Sequence, residues 1–264
     1  MKTVGNAKIG LALGAGGARG MAHIGVLKVL EERGIRPHCI AGSSMGSLVG
    51  VLYANDLNLS LLERLAIQLR RKHWLDMTVP KLGFVAGEKV KQLVRLLTHG
   101  KNLEDLSLPV AVVATDLERG ERVVFRTGPI DQAVRASMSI PGIFVPERID
   151  GRLYVDGAVT DRLPVDVVRD MGADFIIAVD VTPFQLSTRI QSIFDVIAQT
   201  IDILEKEVNQ SRVLHADVVI RPDVGRFSST AFTNIAEIIA EGEKAARAMI
   251  DEIEEKLRRW EGTR

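Results

Sequence analysis

Short apolar runs alternate along the chain with longer stretches in which apolar residues return every three or four positions. The runs at 8–13, 38–41, 109–115, 175–179 and 217–220 are dominated by Ile, Leu, Val and Ala, the pattern of strands covered on both faces. Residues 122–126 read as a half-buried strand and 152–155 as a further short one. Between them, 21–33, 47–54, 60–74, 87–99 and 130–139 carry helical spacing, the last broken by Pro141-Gly142. Repeated β–α alternation predicts a mostly parallel sheet with helices on both faces. We expect one domain over 1–264, with core motifs at about 8–182 and a helical packing region at about 188–264. No internal repeat or linker divides it.

Two long helices are expected in that last region. Over 188–212, Ile190, Ile193, Phe194, Ile197, Ile201, Leu204 and Val208 fall on one stripe. The opposite face carries acids as well as bases, which favours packing on the protein body or a second subunit over packing on lipid. Over 233–260, Ile235, Ile238, Ile239, Ala246, Met249, Ile253 and Leu257 should face inward. The stretch 70–84 differs, joining a basic run to Trp74, Met77, Leu82 and Phe84, with Pro80 and Gly83 as breaks. Basic and aromatic side chains together suit a headgroup interface, although a solvated helix end followed by a packing loop explains the pattern equally.

Composition narrows the classes. With 264 residues the chain can bury a sizeable core, and 34 Lys+Arg balance 34 Asp+Glu. That balance gives no reason to expect nucleic acid or electrostatic capture by anionic lipid. The single cysteine, Cys39, cannot form an internal disulfide, so a reducing compartment is expected. The first seven residues are too short and polar for a signal peptide, and no run approaches the ~18 apolar residues of a membrane span. The expectation is a cytoplasmic protein with at most peripheral membrane contact; homo-oligomerisation is left open.

Candidate chemistry begins at Gly42-Ser43-Ser44-Met45-Gly46, a G-x-S-x-G sequence between a predicted strand and a predicted helix. That context makes it a candidate nucleophile elbow: Gly42 and Gly46 leave room for a cramped turn that projects the Ser44 hydroxyl above a sheet. One strand earlier, Gly14-Ala15-Gly16-Gly17-Ala18-Arg19-Gly20 opens a helix, where backbone N–H groups can converge on an anion. A dinucleotide turn needs a third glycine where Arg19 stands and an acid ending the next strand, where Ala41-Gly42 stands instead. An oxyanion hole facing the Ser44 elbow fits better.

A serine needs a base. Of the histidines, only His215 follows the candidate acids, so a Ser–Asp–His triad would have to use it. Asp116, Asp156 and Asp180 all stand at strand C-terminal ends, and spacing alone does not choose among them.

Taken together, Gly16-Gly17-Ala18-Arg19-Gly20, the Gly42–Gly46 elbow and Asp156-Gly157-Ala158 resemble, in order, the three motifs of bacterial patatin-like phospholipases. The stretch Ala133-Val134-Arg135-Ala136-Ser137 through Ile140-Pro141-Gly142 resembles the same branch, and the likeness runs along most of the chain. Ala15 replaces one motif glycine, which matters only if that position needs a positive φ. The resemblance implies a three-layer α/β/α fold and hydrolysis of phospholipid, lysophospholipid or related lipid esters. It implies a Ser44–Asp156 dyad, an oxyanion hole from the Gly16 and Gly17 N–H groups, Arg19 ordering that loop, and no cofactor or metal. Transfer of the acyl group to another alcohol, or a lipid-sensing role with vestigial activity, are the alternatives.

Overall fold

The computed structural model describes residues 7–69, 76–79, 81–182, 190–213 and 215–262. Its strands are β1 (Ile9–Leu13), β2 (Cys39–Ser43), β3 (Gly83–Val85), β4 (Val110–Asp116), β5 (Glu121–Phe125), β6 (Gly142–Phe144), β7 (Glu147–Ile149), β8 (Arg152–Asp156), β9 (Phe175–Val179) and β10 (Val218–Ile220). Its α-helices are α1 (Ala22–Glu32), α2 (Met45–Ala54), α3 (Leu59–Gln68), α4 (Glu88–Leu97), α5 (Ile130–Ser137), α6 (Val165–Asp170), α7 (Ile193–Val213) and α8 (Ile235–Gly262). An eight-stranded sheet has the order β10-β9-β1-β2-β4-β8-β7, with β5 also paired to β4. From β10 to β4 every pairing is parallel. Beyond β4 the pairings with β8 and β5, and of β7 with β8, are antiparallel.

Strand alternation assigns the two faces. Ile9, Leu11, Leu13, Ile40, Val110 and Val112 join one core with α1, α2 and α8. Ala12, Cys39, Ala41, Ala111, Ile176 and Ala178 face a second core with α6. Small residues dominate that second face because α6 sits close: a Cβ on Gly10 would lie 2.1 Å from a Val168 methyl. The result is the expected three-layer α/β/α arrangement. Cys39 is a buried core thiol whose pKa is pushed up by burial.

α8 buries Ile235, Ile238, Ile239, Ala246, Ile253 and Leu257 as the pattern predicts, while Met249 is partly covered. α7 departs from its predicted stripe. Phe194 and Ile197 pack on the core, but Ile190, Ile193 and Leu204 are exposed together with Val196 and Ile203. A buried charge cluster explains the turn of the helix. Asp202 is drawn inward, its carboxylate accepting from Arg19 Nη1 and Arg162 Nη1 at 3.0 Å each. Periodicity shows which residues share a face, but not which face finds a partner. The Val208 side chain lies outside the described residues. A small parallel pair, β3 with β6, is a further element that the sequence reading did not contain.

Candidate active site

β2 ends at Ser43 and α2 begins at Met45, leaving Ser44 as the single residue between strand and helix. It adopts φ 52°, ψ −122°, a left-handed conformation that costs a side-chain-bearing residue on the order of 1–3 kcal/mol and persists only where the surroundings impose it. Close approach explains the flanking glycines: a Cβ on Gly46 would lie 2.2 Å from the Leu13 carbonyl oxygen, and one on Gly42 2.5 Å from the Ser47 nitrogen.

Asp156 is the last residue of β8. β4 lies between the two residues in the sheet: Val113 is opposite Ser43, and Ala114 is opposite Asp156. With strands ~4.8 Å apart, two steps separate the backbones by ~10 Å, which two inward-leaning side chains can close. The Ser44 hydroxyl donates to Asp156 Oδ2 at 2.6 Å, and the Ala158 N–H donates to Oδ1 at 2.9 Å. Both Ser44 and Asp156 are buried. Burial pushes the Asp156 carboxyl up to about 6; the Ser44 and Ala158 hydrogen bonds and the nearby Arg162 charge hold it back from going further.

The other candidates are engaged elsewhere. Asp116 Oδ1 accepts from the Glu118 and Arg119 N–H groups and shapes the β4–β5 turn. Asp180 accepts from the Thr182 N–H and lies 3.5 Å from Arg221. His215 is exposed and hydrogen-bonded through Nδ1 to Asp166, so the geometry gives it no part in a triad with Ser44.

In the glycine-rich turn, the N–H groups of Gly14, Ala15, Ala18 and Arg19 donate to the carbonyls of Val179, Arg162, Ser229 and Gly16 respectively. Those of Gly16 and Gly17 have no hydrogen-bond partner among the described residues. Gly17 needs to be glycine, since its φ is +56° and a Cβ would sit 2.3 Å from the Ser229 carbonyl oxygen. Ala15 is not at a positive φ, so the departure from the motif is accommodated without strain. The Arg19 head turns away from the turn, donating through Nε to the Phe227 carbonyl and through Nη1 to Asp202. It thereby ties the turn to α7.

Ser44 stands where two branches of a cleft meet. An apolar branch of about 690 Å³, including its open mouth, is lined by Met45, Val85, Val90, Ile143, Phe144 and Phe194. The other, about 460 Å³ and likewise including open solvent, reaches past Gly16, Gly17, Asp156 and Ala158 to Arg162 and Asp202. Met77 and Leu82 of the 70–84 segment are exposed, while Phe84 packs edge-on against Phe194 with ring centroids 5.9 Å apart. Trp74 lies outside the described residues.

Sequence reasoning missed three groups. His23 is fully buried and donates from Nε2 to the Gly14 carbonyl at 2.7 Å. Burial holds its pKa down at about 4, so it is neutral and its donor role is fixed. Arg162 and Asp202 are the second and third. Helical spacing from Gly20 could have pointed to His23, but nothing local marks the Arg162–Asp202 contact, which joins residues 40 apart.

A family model described as patatin-like phospholipase matches residues 11–169. An NTE family protein of Mycobacterium tuberculosis is 42% identical over 179 residues, 65% of this chain and 48% of that protein. The human patatin-like phospholipase domain-containing protein 6 is 38% identical over 186 residues, 66% of this chain and 13% of that protein. A patatin-like phospholipase domain-containing protein of Caenorhabditis elegans is 33% identical over 289 residues, covering 94% of this chain and 21% of its own length. The chain thus spans about half the mycobacterial relative and a smaller part of the animal ones. Among solved structures, VipD from Legionella pneumophila superposes with a TM-score of 0.58 at 15% identity, over 94% of this chain and 67% of that one, a likeness of fold.

Proposed function

The chain belongs to the patatin-like phospholipase family, and from that premise we propose that it is a serine hydrolase of lipid acyl esters, with Ser44 as nucleophile and Asp156 as its base. The observation that carries this reading is the 2.6 Å hydrogen bond from the Ser44 hydroxyl to Asp156, beside two N–H groups without partners among the described residues.

In this mechanism Ser44 Oγ attacks the ester carbonyl carbon while its proton passes to Asp156 Oδ2. A carboxyl with a pKa of about 6 is largely ionised at neutral pH, yet basic enough to take that proton. The carbonyl oxygen becomes an oxyanion held by the Gly16 and Gly17 N–H groups, each typically worth ~3 kcal/mol. The positive N-terminal end of α2 adds to that field. As the intermediate collapses, the leaving alcohol takes the proton from Asp156. A water, deprotonated in turn by Asp156, then attacks the acyl-enzyme, releasing the fatty acid and restoring the Ser44 hydroxyl. The apolar branch suits an acyl chain, and the other branch, which passes Gly16, Gly17 and Asp156, leaves room for the rest of the ester.

Lipid contact, in the same reading, falls on the exposed Met77, Val79 and Leu82 beside the Phe84–Phe194 pair at the apolar branch. Among the described residues no helix is long and apolar enough to cross a membrane, so that contact would be peripheral. The direct test is mass spectrometry of products from a panel of phospholipid, lysophospholipid and neutral esters. Release of free fatty acid supports the reading, and absence of turnover across the whole panel refutes it.

A further inference from the structure

The Ser44 N–H donates to the hydroxyl of Ser137 at 2.8 Å, across 93 residues of sequence. Ser137 closes α5 and is fully buried. Its one hydroxyl proton goes to the Val113 carbonyl at 2.6 Å, which can only accept, so a lone pair is turned toward Ser44. Val113 is the residue opposite Ser43, and its neighbour Ala114 is opposite Asp156. The hydroxyl is therefore anchored on the strand that separates the nucleophile from its base. Further along, the Ser139 carbonyl accepts from the Asp156 N–H at 2.9 Å. One short segment thus holds the backbone nitrogens of both residues.

The strained backbone of Ser44 needs an external restraint. A buried N–H left without an acceptor would favour relaxation of the elbow. Resting on the assignment of Ser44 as nucleophile, we propose that Ser137 is a positioning residue that holds the Ser44 hydroxyl in register with Asp156. Ser137 lines neither branch of the cleft, so it acts through Ser44 and not on substrate.

The test compares Ser137→Ala with Thr98→Val. Thr98 is equally buried, and its hydroxyl donates only within its own helix, to the Val94 carbonyl at 2.8 Å, so removing it controls for the loss of a buried hydroxyl away from Ser44. On p-nitrophenyl butyrate, Ser137→Ala should lower kcat ~10–100-fold, as displacement of a reacting group by up to ~1 Å does. KM should stay within ~2-fold, and labelling by a fluorophosphonate should slow by the same factor as kcat. Thr98→Val should leave kcat unchanged. A folded Ser137→Ala with wild-type kcat and labelling rate would overturn the proposal, as would an equal loss of kcat in Thr98→Val. Should Ser137→Ala not fold, Ser137→Cys carries the same comparison, because its thiol is a poor acceptor in a similar volume. If the wild-type protein neither turns over ester nor reacts with the probe, the hydrolase reading and this role fall together. A reactive wild type beside an unaffected variant removes the role of Ser137 alone.

Discussion

Ser44 and Asp156 lie 112 residues apart in sequence and meet in a 2.6 Å hydrogen bond, both buried, with one strand of the sheet between their backbones. Their separation is set by sheet register, so it does not depend on a mobile loop, and most of what can be tested follows from it.

Ser44→Ala removes one oxygen and should abolish both ester hydrolysis and fluorophosphonate labelling while the circular dichroism spectrum is retained. Label found on Ser43, whose side chain is fully buried, would refute the assignment of the nucleophile.

Asp156→Asn should cost several orders of magnitude in kcat, whereas His215→Ala should keep activity within ~2-fold, because His215 is bonded to Asp166 at the surface. A comparably severe loss in folded His215→Ala would restore a triad.

The raised pKa of Asp156 has two consequences of opposite sense. Activity needs the carboxylate, so kcat/KM, which reports the free enzyme, should fall tenfold per pH unit below about 6. Stability runs the other way. Between the ordinary value of 3.8 and about 6 the folded state binds the proton that the unfolded chain has lost, so this group's contribution is full below the lower value and fades as pH rises through the upper. The span corresponds to about 3 kcal/mol. In urea titrations Asp156→Asn should therefore gain on the wild type as pH rises from 4 to 7; a constant difference would contradict the shift.

At the glycine-rich turn, Gly17→Ala should lose most activity, since its Cβ would strike the Ser229 carbonyl and its φ is positive. Ala15→Gly should change kcat by less than ~3-fold, because residue 15 needs no positive φ and its N–H is already bonded to Arg162. Steady-state kinetics on one soluble ester decides both.

Arg19→Ala leaves Asp202 with one guanidinium in place of two in a buried cluster. Because Arg162 still neutralises Asp202, no buried charge is stranded, and the cost is that of the lost hydrogen bonds to Asp202 and the Phe227 carbonyl, ~1–3 kcal/mol. Chemical denaturation should show a loss of that order, and a change below ~1 kcal/mol would mean that the tie between the turn and α7 contributes little.

The local pattern was sufficient for the strands of the parallel half, the strand–Ser44–helix turn and the glycine-rich turn, because each is encoded by neighbours in sequence. Two short apolar runs end in Gly14 and Gly42, and because their strands pair in parallel both turns open at the same end of one sheet. By itself the sequence left the base open among Asp116, Asp156 and Asp180, and only likeness to a family favoured Asp156. Tertiary structure decided the geometry: Asp116 and Asp180 cap turns, while Asp156 faces Ser44 through the antiparallel pairing of β8 with β4. It also rotated α7, exposing Ile193 and Leu204 and burying Asp202. A helical stripe records which side chains share a face, but burial depends on what lies opposite, and two buried arginines made that partner polar. The roles of His23 and Ser137 were hidden for a related reason. A single hydrogen bond to a distant backbone atom leaves no periodic trace, so it becomes visible only when the chain has brought the two groups together.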